Sequence, residues 1–435
     1  MLESLVQIRS NQNLNSGRGK KMSEQKYNRW LILGAAVVIN ICIGTLYAWS
    51  VFALPLGKTF GWAATSIALA FTINHALSPV AMIGGGYIQD RLGSKANVII
   101  GGIMFGVGLF ITGFVSSVEM LYITYSVLAG IGGGCVYSGT LGNTVKFFPD
   151  KRGLAAGLVA AGYGSGATIV APIASSMIAS FGVLTTFQIL GAVFFVVIML
   201  CSLLIKNAPA GFKPEGWNPP VVAKTTKPAA RDMAWTQMLR DSTWWVVLVM
   251  LTCGALSGLM ITAFASPIGQ QMFKLSPMDA ALFVSLVAVS NSLGRIIFGA
   301  VSDKIGRSNT IMIMYVISAL GMLNLTFTSS VAGFAVSAIG VGAVFGGFMS
   351  TMPSIISERY GLKNFGVNYG ITFIGFSLAA IFGPMTAATV RQSTGNYEQA
   401  FWIALGLNIV GLVFAFIFRM LDNRSKVANQ ITISK

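Results

Sequence analysis

Histidine occurs once in this sequence, cysteine four times, and Asp and Glu together only 13 times. No acid lies inside any long hydrophobic run, so the apolar part of the chain holds neither paired carboxylates nor a set of metal ligands. The glycine-rich stretches Gly132-Gly133-Gly134 and Tyr163-Gly164-Ser165-Gly166 fall within helical runs. There, small residues favour close helix packing rather than phosphate binding. These absences speak against an enzyme: no catalytic residue, no metal and no cofactor is expected. Cys42, Cys135, Cys201 and Cys253 all sit in apolar runs and read as buried thiols rather than a disulfide framework. Charge is scarce as well: 10% of residues carry one, against roughly 25% in an average soluble domain.

What the chain has instead is length in apolar segments. Hydrophobic residues make up 54% of the 435. They gather in runs near 30–52, 64–88, 97–117, 120–143, 153–178, 184–206, 243–266, 281–300, 310–329, 331–356, 367–391 and 398–419. Each is long enough to cross a bilayer as a helix. The fold class expected is an all-α membrane protein with twelve transmembrane helices. The net charge of +16 encodes orientation. Of the 29 Lys and Arg residues, only Lys58, Lys274 and Arg391 fall on one side, Arg295 is left inside, and the rest share the other side. By the positive-inside rule both termini are cytoplasmic, in a cell (plasma, or bacterial inner) membrane, and the basic charge marks no nucleic-acid site. The first helix reads as an uncleaved insertion signal, with Met22 an alternative start.

Arg295 is the exception within the apolar runs. At ~1.5 Å per residue it lies ~12 Å from Asp303 at the end of its run, near the middle of a ~30 Å hydrocarbon core. A charge there costs at least ~2.5 kcal/mol to insert, so it should face a water-filled cavity, with an anionic ligand as partner. Asn291 stands one helical turn earlier on the same face, placed to orient the guanidinium or to touch a hydroxyl or keto oxygen. His75, the one side chain in the membrane able to titrate near neutral pH, is a candidate proton carrier; a neutral histidine bonded between helices is the alternative.

The chain is also duplicated. Gly86-Tyr-Ile-Gln-Asp90-Arg91-Leu-Gly93-Ser-Lys95 returns as Gly299-Ala-Val-Ser-Asp303-Lys304-Ile-Gly306-Arg307, after the second run of each half. Between the halves lies the proline-rich stretch from Asn207 to Ala234. The division expected is a cytoplasmic segment 1–29, a six-helix bundle 30–206, a linker 207–242, a second six-helix bundle 243–419 and a tail 420–435. Such internal repeats place a binding site between two pseudo-symmetric bundles. The duplicated signature resembles that of the major facilitator superfamily. The resemblance covers residues 25 to 420 and implies a functional monomer that alternates between two faces. Asp90 and Asp303 should accept hydrogen bonds from a neighbouring helix N-terminus, while Arg91, Lys95, Lys304 and Arg307 pair across the bundle interface, closing one side as a gate.

Within that superfamily, several stretches are similar to the oxalate/formate antiporter family and its monocarboxylate-transporting relatives. They are Gly44-Thr-Leu-Tyr47-Ala-Trp49-Ser-Val-Phe52, Tyr137 followed by Lys146-Phe-Phe-Pro149-Asp150-Lys-Arg152-Gly153, Asn291-Ser-Leu-Gly-Arg295, and Asn368-Tyr369-Gly370 with Gly383-Pro384. The resemblance implies that Arg295 grips a substrate carboxylate and that Tyr47 and Tyr137 close around it, although each tyrosine could equally be a packing aromatic. It also marks two departures. Asn291 stands where the animal relatives carry a proton-linked aspartate, and Phe376 stands where the oxalate exchanger has a second cation. A small monocarboxylate such as lactate, pyruvate or formate is therefore expected, moved with a proton or by exchange, its apolar end against Phe376 and Phe345. Oxalate/formate exchange, a non-transporting carboxylate sensor and a drug exporter are the alternatives.

Overall fold

Backbone amides cannot stay unpaired in hydrocarbon, so long apolar runs wind into helices. The computed structural model describes residues 27–209, 211–217 and 232–433. Among them are twelve helices long and apolar enough to cross a membrane: α1 (Arg29–Phe60), α2 (Thr65–Leu92), α3 (Ser94–Thr112), α4 (Val118–Phe147), α5 (Arg152–Phe181), α6 (Val183–Leu204), α7 (Ser242–Met272), α8 (Leu282–Ile305), α9 (Arg307–Phe327), α10 (Val331–Tyr360), α11 (Phe365–Thr394) and α12 (Glu398–Asn423). Several run a turn or two beyond the apolar stretch that predicts them. α1 continues through Pro55 to Phe60, because caps and loop glycines such as Gly61, at φ 68°, end a helix rather than the last apolar residue. Residues 1–26 with Met22, most of the linker between Phe212 and Asp232, and Lys435 lie outside the described residues.

The two sets of six helices meet along α5 with α8 and α2 with α11. Both seams are built on the first glycine of the duplicated signature. A Cβ on Gly299 would collide with the carbonyl of Gly153, and one on Gly86 with the backbone of Gly366. Backbones this close exclude any side chain. Gly299→Val is accordingly expected to lower stability by about 1–3 kcal/mol through overpacking. Thermal unfolding in detergent measures it, and an unchanged Tm would mean that the seam does not hold the bundles together.

Helical regularity fails within spans of both halves. α1 tightens to a 3₁₀ turn over Gly44–Ala48, and α2 breaks at Leu77. α4 widens to a π-helix over Tyr122–Ala129, where the Tyr125 carbonyl accepts from Asn74 Nδ2 at 3.3 Å. α11 breaks at Phe373. Such interruptions are tolerated in a membrane where backbone lines a cavity or is buried in protein.

The expected linker is tied down at both ends. Asn207 Oδ1 accepts from the Lys95 amide at 2.9 Å, and Asp232 Oδ1 accepts from the amides of Leu362 and Lys363 at 3.0 Å each. A short helix, Trp235–Arg240, then leads into α7. All four cysteines are free; Cys42, Cys135 and Cys253 are buried and Cys201 is half-buried.

Candidate functional site

Arg295 projects from α8 across the seam and is 3% exposed. Its Nε donates to Asn291 Oδ1 at 3.0 Å, the orienting contact that the one-turn spacing predicts. Its Nη1 donates to the Ala160 carbonyl of α5. Gly164, one turn further along α5, lies against the guanidinium, where a side chain would crowd Cζ. Among the described residues no carboxylate pairs with Arg295. The cation is held by neutral groups, and its remaining N–H donors have no charge opposite them.

A cavity between the bundles is lined by Arg295 together with Tyr47, His75, Tyr137, Tyr163 and Phe376. The tyrosines form a chain of ring contacts: Tyr47 to Tyr163 at 5.1 Å, edge to face, and Tyr163 to Tyr137 at 5.2 Å, tilted, between ring centroids. The 3₁₀ turn in α1 carries Tyr47 beside Arg295. The break in α11 carries Phe373, stacked on Phe376 at 4.6 Å. The cavity thus has a cationic spot, a phenolic wall and an apolar wall, the composition expected of a site for a small amphipathic anion. His75 joins it from α2. Its Nδ1 is 3.0 Å from the Phe71 carbonyl, and its ring is packed between Phe71 at 3.9 Å and Tyr47 at 5.5 Å.

One expected contact is displaced. Phe345 does not line the cavity; it lies behind Phe376, the rings nearly parallel at 6.3 Å, because Gly258 lets it settle against α7. Two residues that surround Arg295 carry little sequence signal. Tyr163 sits in a glycine-rich stretch legible only as packing, and the Ala160 contribution is a carbonyl, which every residue possesses.

The duplicated loops behave as helix caps across the seam. Asp303 accepts from the Gly153 and Leu154 amides at 2.9 Å each, the N-terminus of α5. Asp90 accepts from the Gly366 and Val367 amides at 3.4 and 3.3 Å, the N-terminus of α11. Carboxylates are favoured at these positive ends. The neighbouring cations differ from expectation, because none forms an ion pair across the interface among the described residues. Arg307 pairs inside its own bundle, with Asp303 at 2.7 Å and Glu358 at 2.7 Å. Arg91 lies 4.2 Å above the Tyr87 ring of its own helix. For Lys95 the recorded polar contact is that of its amide with Asn207. Lys304 follows Asp303 near the end of α8 and takes part in no ion pair among the described residues. A guanidinium four residues after an aspartate reaches it without crossing anything, so bridging falls to the aspartates alone.

Comparison with known proteins fits this architecture. The family model of the Major Facilitator Superfamily matches residues 34–315 and 253–432. The Escherichia coli (strain K12) MFS-type transporter YhjX is 31% identical over 361 residues, 82% of this chain and 87% of that protein. The oxalate:formate antiporter of Oxalobacter formigenes is 30% identical over 392 residues, 89% and 91% of the two chains. Human monocarboxylate transporter 12 is 23% identical over 399 residues, 86% and 77%. Among solved structures, the transporter FucP in its outward conformation superposes with a TM-score of 0.68 at 15% identity, over 89% of this chain and 98% of that one. With six helices on each side of two glycine seams, a capping aspartate at each seam and relatives aligned along nearly the whole length, the chain belongs to the major facilitator superfamily of membrane transporters.

Proposed function

We propose that this transporter carries a small monocarboxylate, of the size of lactate, pyruvate or formate, by alternating access between its two bundles. The observation that supports the reading is the buried Arg295, held by Asn291 and a backbone carbonyl and lacking any carboxylate among the described residues. A planar guanidinium in a dry cavity binds one carboxylate strongly and in a fixed orientation. Tyr47 and Tyr137 enclose the bound group, and Phe376 meets its apolar end. With the capping aspartates engaged, the state described is closed on the face where Asp90 and Asp303 lie, which the positive-inside rule makes the cytoplasmic face in this reading.

Return of the empty carrier would expose an unneutralised Arg295, so the reading carries two modes of coupling: exchange of one carboxylate for another, or uptake with a proton, for which His75 is the titratable group in the cavity. The unit proposed is a monomer in the cell membrane. A thermal-shift panel of short carboxylates on purified protein tests the site, since a ligand at ~100 times its dissociation constant stabilises by about 2.7 kcal/mol. Uptake into proteoliposomes distinguishes a transporter from a sensor, and failure of every carboxylate in both assays would remove the proposal.

Oxalate/formate exchange is the second reading, favoured by the likeness to the Oxalobacter formigenes protein. Phe376 speaks against it, because a dicarboxylate would leave one charge facing an aromatic wall, at a cost on the order of several kcal/mol. Wild-type protein is expected to prefer a monocarboxylate over oxalate. Phe376→Lys should shift the preference toward oxalate by supplying a second cation. Competition of oxalate against lactate, pyruvate and formate in both proteins is the measurement. Oxalate outcompeting all three in the wild type would restore dicarboxylate exchange.

A further inference from the structure

The acids named so far differ in what they carry next to the carboxylate: a hydroxyl, a keto oxygen or nothing. One group in the cavity is built to tell these apart. His75 Nδ1 faces the Phe71 carbonyl at 3.0 Å, and a carbonyl can only accept, so Nδ1 bears the hydrogen. The neutral ring then presents Nε2 as an acceptor. Nε2 is buried and has no hydrogen-bond partner among the described residues. The ring is held by the Nδ1 bond and by two aromatic neighbours, Phe71 at 3.9 Å and Tyr47 at 5.5 Å between centroids. Tyr47 is flanked in turn by His75 and Arg295, and all three line the same cavity.

We propose that His75 Nε2 accepts a hydrogen bond from a hydroxyl on the carbon next to the substrate carboxylate, making a 2-hydroxy monocarboxylate the preferred cargo. This rests on Arg295 holding the carboxylate, as proposed above. A 2-hydroxy acid carries a donor on the carbon next to the carboxylate, and Tyr47 neighbours both the cation and the histidine that would receive the two groups. A 2-keto acid sets an acceptor against an acceptor, and an unsubstituted acid leaves Nε2 unpaired. A site built to hydrogen-bond a substrate hydroxyl discriminates strongly because its own buried group is otherwise left unsatisfied.

The test compares three acids of nearly equal size, lactate, pyruvate and propionate, by uptake into proteoliposomes of wild-type protein and by thermal-shift affinity for wild type and His75→Phe. Phenylalanine keeps an aromatic ring beside Phe71 and Tyr47 and removes the acceptor together with the Nδ1–H bond to the Phe71 carbonyl within the same helix. In wild type, lactate should be preferred over both others by roughly tenfold. In His75→Phe that preference should vanish from the thermal-shift affinities, a readout independent of proton coupling, and a melting transition like that of wild type shows that the variant folds. Equal use of all three acids by the wild type would overturn the assignment of His75 and leave the carboxylate reading standing. Pyruvate preferred over lactate would overturn it too, since Nε2 would then be acting as a donor. If none of the three acids binds or moves, the carboxylate reading itself fails.

Discussion

Lysine in place of Arg295 is expected to reduce carboxylate transport by roughly ten- to a hundredfold, the loss of a charge-assisted bond of about 1.5–3 kcal/mol. The charge is unchanged; what disappears is the fork. Arg295 donates from Nε to Asn291 and from Nη1 to the Ala160 carbonyl, and still has N–H groups for a ligand. A lysine ammonium is a single point with three donors on a flexible stem. If it satisfies Ala160 it leaves α8's own Asn291 unused, and if it follows the substrate it abandons the neighbouring bundle. Asn291 Nδ2 already has no partner among the described residues, so the variant would strand both ends of that amide. Initial rates in proteoliposomes at saturating and subsaturating substrate measure the effect. Wild-type rates would take Arg295 out of the substrate site.

Neutralising Asp303 should have the next largest effect, and a different kind. Asp303→Asn is expected to slow turnover by about tenfold or more while leaving equilibrium substrate affinity near wild type, because Asp303 lies at the end of α8 and does not line the cavity. The residue accepts two amides of the opposite bundle at 2.9 Å and pairs with Arg307 at 2.7 Å. An amide side chain cannot accept both bonds equally, and it releases Arg307 to Glu358 alone. Asp90→Asn should be milder. Its bonds to the start of α11 are longer, at 3.4 and 3.3 Å, and no arginine braces it among the described residues. Counterflow rates set beside thermal-shift affinities separate the two quantities. A collapse of binding with exchange of bound substrate preserved would show that Asp303 is not a gate.

The duplicated signature makes the capping aspartates legible before any coordinates, because an aspartate at a fixed place after the second helix of each half is well placed to accept from a helix N-terminus. Its basic neighbours were misread. Sequence places Arg307 next to the seam but does not tell which side its long side chain turns to, and Glu358, 51 residues away, attracts it back into its own bundle. Phe345 was misplaced for a similar reason. Helical spacing gives the face of α10 on which it lies, but the small Gly258 on α7 decides how deep it sinks.

Reading along the chain suffices for the membrane class, the twelve crossings, the twofold repeat, and Arg295 as the charge requiring a partner. These follow from hydropathy over whole helices and from the energetic cost of one buried cation, quantities that local composition carries. Only the tertiary structure decided what surrounds that cation. Tyr163 enters the cavity because α5 and α8 approach at glycines, Ala160 contributes a carbonyl shared by every residue type, and His75 gains its direction from the aromatic rings on either side. Contacts between helices far apart in the chain depend on packing distances of a fraction of an ångström, and no periodicity along the sequence encodes those.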